Sequence, residues 1–363
     1  MKRILLTIAV LVPLGALGAF LFAWSGLYNV SASSGHWPVS TWFLHFGLRN
    51  SVETQSMLID VPDLSHPAQA MLGLGHYQYA CAPCHGSPAV APNAIAQQML
   101  PVPPYLPDKV GEWEDEELFW IVKHGLKYSG MPAWPTQQRD DEVWGVVAFL
   151  RRMPSIGSEE YRRLSGLDAL PDQGPEGDRA GSSGLLENRP VACARCHGPR
   201  GAGGGEGAFP RLAGQSADYL AAALDAYALG ARPSGVMQPI AAELTPEERR
   251  RAADYYAAQA GAPPLTMPPV PADLLAEGEA IALRGTPAQG VPACQGCHGA
   301  TRPPATPALE GQWPRYIEQQ LRLWKAGNRG GTPSSEVMGQ VALRLDDRQI
   351  EAVAAWYGAR PVP

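Results

Sequence analysis

Charge is scarce in this chain. Only 18% of its 363 residues are Asp, Glu, Lys or Arg, and the formal net charge is −6. That balance argues against a nucleic-acid partner. There is no recognisable nucleophile–base pair or phosphate loop, so hydrolysis and phosphoryl transfer have no residues to carry them. Cysteine is missing everywhere except in three short motifs, and no thiol remains for a disulfide or a separate zinc pair. What is plentiful is glycine and proline, 39 and 36 residues, the composition of a loop-rich chain.

The six cysteines fall in Cys81-Ala82-Pro83-Cys84-His85, Cys193-Ala194-Arg195-Cys196-His197 and Cys294-Gln295-Gly296-Cys297-His298. Each reads C-x-x-C-H, the attachment signature of c-type haem. Two thiols on one turn of helix reach the two vinyl groups of a porphyrin and form thioethers. The histidine that follows then lies under the iron and supplies an axial nitrogen. The rival reading, a zinc site or redox dithiol beside an incidental histidine, would have to hold three times over. The motifs predict three covalent haem c groups, held by Cys81, Cys84, Cys193, Cys196, Cys294 and Cys297, with His85, His197 and His298 as axial ligands. A chain of this length has room for three domains of roughly 100 residues. Domains that small have thin apolar cores, which a buried porphyrin would complete.

Lys2 and Arg3 precede an uncharged run over residues 4–24. The run is long enough to cross a bilayer as a helix and longer than a usual secretory h-region. Residues 1–25 are therefore read as a transmembrane anchor, with a cleaved signal peptide ending near Val30-Ser31-Ala32 as the alternative. Either way the basic N-terminus stays inside and the rest is exported. Residues 26–65 form a connecting segment whose Trp37, Trp42, Phe43 and Phe46 are expected to pack on the first haem domain, with an interfacial or partner-binding stretch as the alternative. Its His36 and His45 are assigned no role.

The first haem domain spans 66–154. In it Gly73, Tyr77 and Cys81 share one face of a helix leading into the motif. A second helix starts near Glu114 with acids in its first turn. The last starts near Asp140 and carries Val143, Val146, Val147 and Leu150 at helical spacing. Residues 155–190 read as a linker rich in Pro, Gly and Ser. The second domain spans 191–262, a stiff proline-rich connector 263–271, and the third domain 272–363. The long linker predicts a first domain that moves independently of a rigid pair formed by the other two.

Those two domains are copies. Pro210, Leu212, Gly214, Gln215, Tyr219, Leu220 and Leu224 recur in register as Pro307, Leu309, Gly311, Gln312, Tyr316, Ile317 and Leu321. Met237 and Met338 both stand 40 residues after the motif histidine, and Met131 stands 46 after His85. In each case an aromatic, Phe149, Tyr255 or Trp356, follows 18 residues later. The final helices of both copies open on caps, Thr245-Pro246 with Glu248 and Asp346 with Gln349. A histidine-bound haem iron takes a sixth ligand, commonly a thioether, and the shared register points to Met131, Met237 and Met338. Met71, Met99, Met153 and Met267 do not recur in register, and His124 has no counterpart in the other domains.

These residues resemble the class I cytochromes c. The second and third domains together resemble the diheme c-four type cytochromes, through residues 209–215, Pro239-Ile240-Ala241 and Val291-Pro292-Ala293-Cys294. Gly130-Met131-Pro132 likens the first domain to monohaem modules. The resemblance implies an all-α chain, three class I cytochrome c domains in tandem after an N-terminal transmembrane helix. It also implies haem attachment in the periplasm, with a single pass through the bacterial inner membrane. The expected function is a non-catalytic electron carrier in a respiratory chain, ending at a haem-copper terminal oxidase. Its redox partners would be a membrane oxidase or dehydrogenase and a quinol-oxidising complex. The alternative is a cytochrome subunit of a periplasmic alcohol, aldehyde or sugar dehydrogenase. A haem peroxidase fits less well, since every haem has a candidate methionine.

Overall fold

The computed structural model describes residues 1–169, 189–259, 265, 268–332 and 334–362. Among them regular structure is helical, with two isolated β-bridges, Gly204 to Phe209 and Thr286 to Val291, and no strand. Helix α1 (Lys2–Trp24) has a mean hydropathy of 2.5 over its most apolar stretch and buries nothing. By length and composition it can cross a bilayer.

Helix α2 (Pro38–Ser56) follows. Its C-terminal half meets the first haem unit: Val52 is buried, and Arg49 lies 4.4 Å over the Trp113 ring. Its N-terminal half behaves otherwise than expected. Trp37, Trp42, Phe43 and Phe46 are all more than half exposed. They precede the stretch of α2 that reaches the unit, and Trp42 stacks on Phe46 instead, 5.7 Å between centroids.

The first unit contains α3 (Pro67–His76), a π-helical turn (Tyr77–Cys81), α4 (Ala82–His85), α5 (Leu106–Lys109), α6 (Asp115–His124), α7 (Asp140–Arg152) and α8 (Ser158–Leu164). The π turn breaks the expected even register from Gly73 to Cys81, since each of its hydrogen bonds spans five residues. Helices α3 and α7 cross where Gly73 meets Gly145; a Cβ on Gly73 would overlap the Gly145 carbonyl. Val143, Val146, Val147 and Leu150 are buried in this unit's core. Glu114 and Glu117 close a capping box on α6, so both acids serve the helix end.

Helix α8 lies inside the stretch expected to be linker. Tyr161 is fully buried in the same core, and its hydroxyl donates to Gln78 Oε1 at 2.7 Å. Ile156, Tyr161, Leu164 and Leu167 supply the apolar face that a charged, proline-containing run conceals. Residues 170–188 of the expected linker, the last residues of the expected second domain, 260–262, and residues 263, 264, 266 and 267 of the connector fall outside the described residues.

The second unit contains α9 (Arg189–His197), α10 (Ala217–Ala228), α11 (Met237–Ala242) and α12 (Pro246–Ala257). The third contains α13 (Ala272–Arg284), α14 (Gln295–His298), α15 (Pro314–Lys325), α16 (Ser335–Arg344) and α17 (Asp347–Gly358). Both expected capping boxes form, Thr245 with Glu248 and Asp346 with Gln349.

The two copies grip each other through matched residues. Gln215 exchanges hydrogen bonds with the backbone N–H and C=O of Ala308, both at 2.9 Å. Gln312 does the same with Arg211, at 2.9 and 3.0 Å. Gln215 and Gln312 are equivalent in the repeat, so the contact is self-complementary.

The first unit is not a separate tethered body. Tyr79 donates to Glu243, Gln319 donates to Asp141, and Asn328 donates to the Gln138 carbonyl, at 2.8, 2.7 and 3.0 Å. Gly75 of α3 sits against the second motif. A Cβ there would come within 2.8 Å of the Phe209 ring and 3.3 Å of Cys196 Sγ. Contacts with the second and third units, rather than linker composition, decide where this unit lies.

Candidate haem centres

The three motif histidines share one arrangement. Each ends a helix, α4, α9 or α14, and each Nδ1 meets the carbonyl of a downstream proline. The distances are 2.9 Å for His85 to Pro104, 3.1 Å for His197 to Pro210 and 2.9 Å for His298 to Pro307. A carbonyl can only accept, so Nδ1 carries the proton and Nε2 keeps its lone pair. Burial lowers the pKa of all three imidazoles, which favours the neutral form that ligates a metal.

Among the described residues the cysteines form no disulfide. Burial pushes Cys81 up to about 12, and Cys196 and Cys294 up to about 11. A redox dithiol needs the opposite shift. Nor do the thiols and histidine of a motif converge as zinc ligands do: no group of three or more His, Cys, Asp or Glu among the described residues is placed to hold a metal ion directly.

The second and third motifs open on one cavity of about 620 Å³. Cys193, Cys196, His197 and Met237 line it from one copy, and Cys294, Cys297, His298 and Met338 from the other. Apolar walls come in matched sets: Leu220, Leu224 and Tyr256 in one, Ile317, Leu321 and Tyr357 in the other. Arg232 donates to two neutral oxygens, Tyr316 Oη and Gln320 Oε1, both at 3.0 Å. Arg329 donates to Gln320 and lies 3.7 Å over the Trp324 ring. Burial, and then the charge of Arg232, lower its pKa. The Trp324 indole N–H is buried without a partner. Among the described residues neither guanidinium pairs with a carboxylate. Buried cations call for anions, and haem c brings propionates. The donor set, the apolar walls and these cations together fit haem.

Met237 and Met338 line the cavity from short helices, α11 and α16. Met131 sits half-buried in a turn; its N–H donates to Ser129 Oγ at 3.1 Å and its carbonyl accepts from Leu126 at 3.2 Å. Among the other methionines, Met71 also lines the cavity, Met99 lies against Gly130, Met153 is buried in the first core, and Met267 falls outside the described residues. His124 is exposed beside Trp120.

A thiosulfate dehydrogenase electron acceptor of Thiomonas intermedia (strain K12) is 42% identical over 179 residues, 47% of this chain and 80% of that protein. This chain belongs to the cytochrome c family. The cytochrome is also 35% identical to a thiosulfate dehydrogenase electron acceptor of Stutzerimonas stutzeri (strain A1501) over 204 residues, 53% of the chain and 92% of that protein. It is 32% identical to cytochrome c4 of Thiocapsa roseopersicina over 194 residues, 52% of the chain and 94% of that protein. The family described as cytochrome c oxidase, cbb3-type, subunit III matches residues 68–150 and 187–255. It is an electron-transfer cytochrome with covalently bound haem c, related to electron acceptors of thiosulfate dehydrogenase and to cytochrome c4.

The proline carbonyls escaped the sequence reading as partners of the histidines. Pro210 and Pro307 recur in register, which is a usable signal; Pro104 sits in a proline cluster that hides it. Glu142, Arg139 and Trp134 carried no signal, because each also meets residues of the second unit that are distant in sequence.

Proposed function

We propose that this cytochrome is a membrane-anchored triheme carrier that takes electrons from a periplasmic thiosulfate dehydrogenase and delivers them to a membrane oxidase. Cys81 with Cys84, Cys193 with Cys196 and Cys294 with Cys297 attach three haem c groups. His85, His197 and His298 would each supply an imidazole ligand to a haem iron, and Met131, Met237 and Met338 a thioether ligand. The observation that carries the reading is the histidine geometry, three Nδ1–proline carbonyl bonds that leave three Nε2 lone pairs free.

When bound, each haem supplies a one-electron iron couple, whose potential rises with methionine ligation and burial. The chain attaches, orients and shields. Proline carbonyls set the imidazole tautomer, the matched leucines, isoleucine and tyrosines exclude water, and Arg232 and Arg329 supply cations for propionates. A methionine ligand at each centre would leave no open coordination position, which argues against peroxidase chemistry.

The relatives named as electron acceptors of thiosulfate dehydrogenase favour a thiosulfate donor. That replaces the alcohol, aldehyde or sugar enzyme of the sequence reading with a different dehydrogenase. The match to an oxidase-subunit family supports the acceptor side. Helix α1 holds the protein at the inner membrane with the haem units in the periplasm. The test uses the full chain in detergent. Its mass should include three haem additions, and thiosulfate with a thiosulfate dehydrogenase should reduce its visible haem bands. Reduction by dithionite but not by that enzyme would discard the donor, and a smaller mass would discard the count.

A further inference from the structure

The turn before Met237 is held almost entirely by the first unit. Ser234 Oγ donates to Glu142 Oε1, and the Gly235 N–H donates to Glu142 Oε2, both at 2.6 Å. Ser234 Oγ in turn accepts the N–H groups of Val236 and Met237, at 3.2 and 3.0 Å. Arg139 pairs with Glu142 at 2.9 Å and donates to the Pro233 carbonyl at 2.7 Å. Thr136 donates to Gln238 at 3.1 Å. Val236 packs on the first unit's core, and a Cβ on Gly235 would overlap the Trp134 indole nitrogen. From Pro233 to Gln238 the chain is gripped by residues 134–142 of another haem unit. Glu142 is 4% exposed. A carboxylate buried that deeply must find charged and N–H partners, and here most of them belong to this turn.

We propose that Glu142 is a positioning residue for the second haem: the first unit, through this carboxylate, fixes the turn that presents the Met237 sulfur. The inference rests on Met237 as the ligand in the reading above. Docking of the first unit then governs whether the second centre is six-coordinate. Nothing comparable reaches Met338 among the described residues, since its N–H donates to the Ser334 carbonyl within its own turn, at 3.0 Å. A coordination set completed across a unit boundary makes the potential of one centre depend on the presence of its neighbour.

The experiment compares variants of the full chain in detergent. The readouts are the near-infrared band of thioether-ligated ferric haem and carbon monoxide binding to ferrous haem. Met237→Leu should remove about a third of the band and let one haem in three bind carbon monoxide. Glu142→Ala should do the same, and the double variant should lose no more. Glu142→Gln keeps one acceptor and the side-chain volume, so it should recover part of the band. Tyr79→Phe removes a contact between the same units away from the turn, and should leave band and gas binding unchanged. If Met237→Leu has its effect while both Glu142 variants match the parent, the ligand stands and the positioning role is overturned. If Tyr79→Phe acts as strongly as Glu142→Ala, general loosening of the contact explains the loss and the role is likewise overturned. An unchanged band in Met237→Leu removes the ligand and the inference together.

Discussion

In the second unit the turn before the methionine is held by a neighbour; in the third the corresponding turn holds itself. The contrast extends to the cores. The third unit buries Ile281, Val291, Ile317, Leu321, Ile350, Val353, Trp356 and Tyr357 in one cluster. The second, among its described residues, clusters only Tyr219, Leu220, Ala253 and Tyr256. Equivalent aromatics follow suit: Trp356 is buried and Tyr255 is not. One repeat therefore gives two scaffolds of unequal self-sufficiency. The register of motif, glutamine and last helix was duplicated, but the second copy draws its order from what surrounds it.

The largest expected effect follows from that inequality. Replacing Cys193 and Cys196 by Ala should cost one haem and the folded state of residues 189–259, because little apolar core remains without the porphyrin. Replacing Cys294 and Cys297 should cost one haem but leave α13 crossed on α17, where Gly278 meets Ala352. Haem count by mass and amide exchange over the two units measure this. Equal loss of protection in both copies would break the comparison.

Much of this was legible in the sequence, and the reasons are local. C-x-x-C-H is a contiguous signal, and the repeat carries Gln215 and Gln312 in register, so both haem scaffolds and the caps at Thr245 and Asp346 could be read directly. Val143, Val146, Val147 and Leu150 declared a buried face by spacing alone. The docking of the first unit could not be read, because Glu142 on Ser234 or Gln319 on Asp141 are single polar residues far apart in the chain. The exposure of Trp42 and Phe43 was hidden for a related reason: aromaticity says that a side chain favours burial, and not which half of α2 meets a neighbour.

The self-complementary contact offers a symmetric test of intermediate size. Gln215→Leu strands the Ala308 N–H and C=O, and Gln312→Leu strands those of Arg211. Each should cost roughly 2–4 kcal/mol, from two buried backbone groups left without partners. Denaturant unfolding should show the same loss in both. A neutral result in one alone would mean that the contact is not symmetric in energy. Somewhat smaller is the cost of crowding the helix crossings. Gly73→Ala and Gly278→Ala each push a methyl into a backbone carbonyl, and each should cost about 1–3 kcal/mol. Thermal unfolding of the full chain would show it.

The smallest effect asks whether the copies remain interchangeable at a single position. Thr245 Oγ1 accepts the Glu248 N–H at 3.3 Å, and Glu248 accepts the Thr245 N–H at 2.8 Å. In the other copy Asp346 accepts the Gln349 N–H at 2.8 Å, and Gln349 accepts the Asp346 N–H at 3.0 Å. The two boxes exchange which partner carries the charge, Glu248 in one and Asp346 in the other, and each helix end holds a second acid, Glu247 or Asp347. Alanine at either cap should cost about 1 kcal/mol. Asp346→Ala should cost the larger share, because it removes both the shorter cap bond and the charge. Thr245→Ala leaves the Glu248 carboxylate in place and should cost less. Thermal unfolding with all haems retained resolves the two. If Thr245→Ala is the more damaging, α12 depends on its cap more than α17 does, and the weaker core of the second unit, rather than cap chemistry, sets the stability of its last helix.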